Sequence, residues 1–163
     1  MPTLVDRYLR AGDLVPGDTW RLAEWCRQHG AMEFTVAAMC VGGTGAPLLT
    51  ELERALERFR RHSAPRGLMV VLAGQPSMQP VPLWTLTAES LDVLRRFLPG
   101  GLFEYPGGDW ERGWLEDPTF YRDGQVMLGV ASHEAEGVLR LTAREHAAVA
   151  AAGFRTHIAP VVL

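Results

Sequence analysis

Between residues 33 and 73 the chain writes strand, loop, helix and strand in succession, and this order constrains the fold more than any other feature. Residues 33–41 (EFTVAAMCV) are rich in Phe, Val and small apolar side chains, the composition of a buried strand. Gly42-Gly43-Thr44-Gly45-Ala46-Pro47 follows as a loop. Residues 48–62 put Leu49, Leu52, Ala55, Leu56 and Phe59 on one helical face, with Thr50 and Glu53 spaced as a capping box. Residues 67–73 (GLMVVLA) read as a second buried strand. Such a unit predicts two parallel strands joined by a right-handed crossover. The expected class is therefore α/β or α+β, a single domain with a mixed sheet.

The flanks extend this plan. Residues 3–9 read as a short helix, with Thr3 as cap, Asp6 at the capping-box position and Leu4, Val5, Tyr8 and Leu9 as its stripe. A second helix starts near Asp18 or Thr19 and ends at Gly30. Trp84 and Leu86 suggest a short strand. Thr87 caps a helix to about Leu98, halted by Pro99-Gly100-Gly101, and residues 102–105 read as another strand. The last third predicts an antiparallel meander: residues 119–122, the turn Asp123-Gly124, residues 125–132, and residues 138–141. Thr142 and Glu145 open a final helix, Gly153 ends it, and residues 155–163 close the chain as an edge strand carrying Pro160. Leu-Thr precedes a helix at residues 49–50, 86–87 and 141–142; ordinary capping accounts for this without an internal repeat. At 163 residues the chain is expected to form one domain, 1–163, which can be subdivided into a helical and βαβ part, 1–82, and a helix, meander, helix and strand part, 83–163.

Composition prunes the chemistry. All 16 basic side chains are Arg; there is no Lys and no Asn, the skew of a GC-rich genome. A lysine-free chain has no Schiff-base amine and no phosphate-loop Lys. A net charge of −3 gives no basic footprint, so no nucleic-acid partner is expected. Met1-Pro2-Thr3 leads into charged residues instead of an apolar leader, and the run at residues 36–41 is far too short to span a membrane. Two cysteines, Cys26 and Cys40, make no disulfide framework. The expectation is a cytoplasmic protein.

Three groups of residues carry candidate chemistry. First, Gly42, Gly43, Thr44, Gly45 and Thr50 would hold a phosphate or nucleotide, since a strand feeding a glycine loop and a helix points backbone N–H groups at an anion. The third glycine of the dinucleotide fingerprint is Leu48 here, so a plain tight connection is the competing reading. Second, residues 101–136 hold eight acidic and two basic residues, a net −6, leaving +3 for the remainder. Within this stretch Glu104, Tyr105, Asp109, Trp110, Glu111, Trp114 and Glu116 combine aromatic side chains with an acidic rim, a composition suited to a protein partner with a basic surface. The competing reading folds the Trp side chains back onto the sheet. Third, His133 beside Glu134 and Glu136 is a weak acid–base candidate, with His146 and His157 further along.

No metal site is expected. The acids lack the spacing of a calcium loop, and Cys26, His29 and Cys40 fall one ligand short of structural zinc. The arginines Arg54, Arg58, Arg60, Arg61 and Arg66 interleave with Glu51, Glu53 and Glu57 and read as a solvated face. The leading expectation is a protein-binding module of the adaptor, regulator or immunity type, without a cofactor. The alternative is a small enzyme or ligand-binding protein using the glycine loop.

Overall fold

The computed structural model describes residues 3–39, 47–61, 82–105, 108–109 and 112–158. Its first element corrects the first expectation. Leu4–Arg10 is a strand, β1, not a helix. It pairs antiparallel with Glu136–Thr142 near the other end of the chain, in a seven-residue register from Leu4↔Thr142 to Arg10↔Glu136. Asp6 lies opposite Arg140, and the guanidinium grips both carboxylate oxygens at 2.8 and 2.9 Å. Leu9 is fully buried. A local cap pattern is a weak preference, and a full sheet ladder with a buried Leu outweighs it.

The remaining elements follow in chain order. Helix α1 is Pro16–Gln28, opened by a proline in its first turn. Strand β2 is Glu33–Met39 and helix α2 is Pro47–Ala55. A single 3-10 turn leads to the two-residue strand β3, Arg60–Arg61. Strand β4 is Leu83–Thr85, and α3 is Ala88–Phe97. Strands β5, β6, β7 and β8 are Gly108–Asp109, Gly113–Arg122, Gln125–Ala131 and Glu136–Thr142, and α4 is Ala143–Ala151.

Local chemistry decides several of these boundaries. Thr87 and Ser90 close a reciprocal capping box on α3, and Thr142 and Glu145 do so on α4. Asp123 and Gly124 both take positive φ (51° and 76°), the backbone of a type I′ turn, and so join β6 to β7. The helix expected over residues 48–62 is shorter than predicted. It starts at Pro47 and stops at Ala55, so Thr50 lies inside it and is not its cap. Arg60 and Arg61 leave the helical path to pair with Trp84 and Leu83. Residues 102–105, expected as a strand, form turns that return the chain to the sheet.

The sheet runs β1-β8-β7-β6-β2-β4-β3, with β5 attached to β6. Every described pairing is antiparallel, and the fold is α+β. Strands from both halves of the chain alternate in that order, so residues 1–82 and 83–163 share one sheet. The expected parallel partner, residues 67–73, lies outside the described residues. So does most of the expected terminal strand at 155–163. Its described portion makes one antiparallel bridge, Tyr8 to His157, through two 2.8 Å hydrogen bonds.

One core joins sheet and helices. Phe34, Trp84 and Phe120 pack together across β2, β4 and β6, with ring centroids 5.5 and 6.1 Å apart. Leu22 and Cys26 of α1, Leu91 and Leu94 of α3, and Leu128, Leu139 and Leu141 of the meander complete it. Burial raises the Cys26 thiol far above its ordinary pKa, so it behaves as a small apolar side chain. No helix among the described residues is long and apolar enough to cross a membrane.

Candidate functional site

A proline in the middle of β6 creates the site. Pro118 cannot donate to a strand ladder, and the register of β6 against β2 shifts there: Thr35 faces Thr119, yet Ala37 faces Glu116. Asp117 at the shift takes φ +53°, a left-handed conformation uncommon outside glycine. Successive strand side chains normally point to opposite faces. At this bulge Glu116 and Asp117 instead reach one place, together with the His133 imidazole. A ligand-type atom of each residue lies within 4.8 Å of the other two.

Each carboxylate is oriented by a donor. The Trp114 indole N–H donates to Glu116 Oε2 at 3.2 Å. The Ser132 N–H donates to Asp117 Oδ1 at 2.7 Å. Burial raises the pKa of both carboxyl groups; for Glu116 the adjacent Asp117 charge adds to it. Glu116 is only 9% exposed. A buried carboxylate is costly unless it is paired or coordinates a cation, and the described residues give this pair no arginine.

His133 supplies the open side. It sits on the 3-10 turn Ser132–Glu134, its side chain about half exposed, with Glu134 Oε1 at 3.6 Å from Nε2. Tyr105, 48% exposed, stands edge-on to both Trp114 and His133, with centroids 6.3 and 6.0 Å away. The corner thus has a buried and a half-buried carboxylate, an accessible imidazole and an aromatic wall.

The sequence candidates divide accordingly. Tyr105, Trp114, Glu116, His133 and Glu134 come together here, although along the sequence they fall into two separate groups. Trp114 and Glu116 are buried, so they form the wall and not an exposed rim. Glu104 is half-buried and its carboxylate accepts the Gly100 N–H at 2.6 Å. Asp109 lies on β5, which pairs with β6 beside Trp114. Trp110, Glu111, Gly42, Gly43, Thr44 and Gly45 lie outside the described residues, and Thr50 is an exposed residue of α2. His146 and His157 are engaged elsewhere, at 2.8 Å from the Val5 carbonyl and 2.6 Å from Asp13. Asp117 ends the acidic aromatic segment, and Ser132 has no distinguishing sequence pattern. The signal for Asp117 is the proline that follows it beside a strand-like run, which marks an edge or a bulge; nothing comparable marks Ser132.

No family model matches the chain, and neither a curated protein nor a solved structure matches it significantly. What fold and site define is an α+β protein with a carboxylate–histidine corner at the bulge of its central sheet.

Proposed function

We propose that the chain is a divalent-cation-binding protein whose centre is Glu116, Asp117 and His133. The observation behind this reading is the convergence of two desolvated carboxylates and an imidazole within 4.8 Å. A cation at their focus would repay the cost of burying both charges. Two oxygens and one nitrogen suit zinc or manganese better than magnesium or calcium, which take oxygen donors. Trp114 and Ser132, which hold the carboxylates, act as outer partners that orient ligands. Three protein ligands are the number found in catalytic zinc centres, where water or substrate fills the fourth position.

The test is calorimetric titration of the whole chain with zinc, manganese and magnesium, with parallel thermal melts. The expected result is one zinc or manganese ion per chain, and a gain of about 2.7 kcal/mol in stability at a hundredfold excess over Kd. H133A should weaken binding at least tenfold. Binding that H133A and D117N leave unchanged overturns the proposal, as does no saturable binding.

A second reading keeps the acidic segment as a protein-docking surface. The exposure of Tyr105 beside His133 and Glu134 favours it. Recognition of a basic partner would then fall on Tyr105 and Glu134, and Y105A with E134R should abolish it while cation binding persists.

A further inference from the structure

A second concave surface lies away from the carboxylate corner, between α1, α3 and the segment that follows α4. It is a groove of about 590 Å³. That volume falls within the range of small-molecule sites, roughly 300–1,000 Å³. Trp20, Trp25 and Phe154 line it, and each is largely buried, so the rings show only part of their surface to the groove. Arg21 from α1 and Arg95 from α3 line it as well.

Both arginines lie over aromatic rings. The Arg21 guanidinium carbon is 5.3 Å from the Phe154 centroid, and that of Arg95 is 5.5 Å from the Trp20 centroid. A ring beneath a guanidinium restrains it, and the N–H groups not already bonded remain for recognition. Arg21 is also tied to the Ala152 carbonyl at 3.2 Å. These contacts restrain both cations before any ligand arrives, which lowers the cost of ordering them on binding.

The charge distribution points one way. Asp18 and Asp92 pair with Arg21 at 2.5 Å and with Arg95 at 3.6 Å, but neither carboxylate is part of the lining. The carboxylate that does line the groove, Glu24, is gripped by Arg27 at 2.8 and 2.6 Å and by Gln28 at 2.8 Å. Arg27 holds its pKa below the ordinary value, so it stays a neutralised partner of that pair. What faces the groove is an aromatic floor between two guanidinium groups.

We propose that this groove binds a small aromatic carboxylate, its ring against Trp20 and Trp25 and its carboxylate on Arg21 and Arg95. An amine on the same ring would face two cations and be rejected.

The experiment titrates the whole chain with 1-naphthoate and with 1-naphthylmethylamine, following the indole N–H signals of Trp20 and Trp25 by NMR. Naphthoate should shift both signals saturably, and the amine should bind at least tenfold more weakly. R95Q, a change at an exposed side chain, should lower naphthoate affinity at least fivefold with an unchanged melting temperature. R21Q should do the same; if it disturbs folding through the lost Ala152 contact, R95Q alone decides. Equal binding of acid and amine overturns the proposal. So does full affinity in R95Q, or no shift at either indole.

Discussion

Asp117 and Ser132 hold each other by a reciprocal pair of hydrogen bonds. The Asp117 N–H donates to Ser132 Oγ at 3.0 Å, and the Ser132 N–H donates to Asp117 Oδ1 at 2.7 Å. The hydroxyl also lies 3.5 Å from the Leu102 carbonyl, whose own N–H donates to Thr19 Oγ1 at 3.2 Å. This chain of contacts links α1 to the bulge. S132A removes the acceptor for a part-buried N–H held at a positive φ. The expected cost is about 1–2 kcal/mol, read by urea denaturation. Zinc affinity should fall about tenfold, the usual effect of losing an orienting partner.

Neutralising Asp117 should stabilise the cation-free protein. Its carboxyl pKa is raised on folding, chiefly by burial. The native state therefore takes up a proton more readily than the unfolded chain. The resulting penalty is fully present above the folded pKa and is relieved as pH falls through it. D117N removes the penalty and keeps an acceptor for the Ser132 N–H. At pH 7 without metal its melting temperature should rise, by about 2–4 °C for each kcal/mol gained in a chain of this size. In saturating zinc the order should reverse, with the unsubstituted chain melting higher. A D117N melting point below that of the metal-free parent contradicts this reading.

Arg122 and Glu145 contribute to the acid sensitivity of the fold. Arg122 on β6 donates to both oxygens of Glu145 on α4, and Glu145 also closes the cap of Thr142. Hydrogen bonding from Arg122 lowers the Glu145 pKa to about 2 from 4.5. A depressed carboxylate pKa contributes stability that is complete above the unfolded value and lost as pH falls through the folded one. The contribution should fade between about pH 4.5 and pH 2. After solvent screening its size is about 1–3 kcal/mol. E145Q should lose that amount at pH 7 and show a flatter stability profile over this acid range.

The strand assignment of β1 has its own test. Leu9 is fully buried, whereas Leu4 and Val5 are exposed. L9A should cost about 2–5 kcal/mol, the usual range for emptying a buried leucine site. L4A should change stability by less than about 0.5 kcal/mol. Hydrogen exchange of the Arg7 and Leu9 amides should be as slow as that of their β8 partners, which a helix at this position would not give.

Several local signals announced the structure. The Asp123-Gly124 turn, the Thr87 cap and the Thr142–Glu145 box each act within four residues, and each stands where it was expected. The β1 segment misled because seven residues fit a capped helical turn and a strand alike. The choice fell to β8, about 130 residues away. The end of α2 followed the same rule, since Arg60 and Arg61 are drawn to β4.

The candidate site was legible only in pieces. Tyr105, Glu116 and His133 each stood out by residue type, but they belong to a turn, a strand and a second turn. The amino-acid sequence by itself determined the acidic excess of residues 101–136, the lysine-free chemistry, the turns and the caps. Tertiary structure decided which acids went inside. The bulge at Asp117-Pro118 rotates two neighbouring carboxylates into one partly buried corner, and the turn after β7 carries the imidazole to them. Burial depends on what packs over a residue from elsewhere in the chain, so charge can be counted along a sequence while its desolvation is set only by the fold.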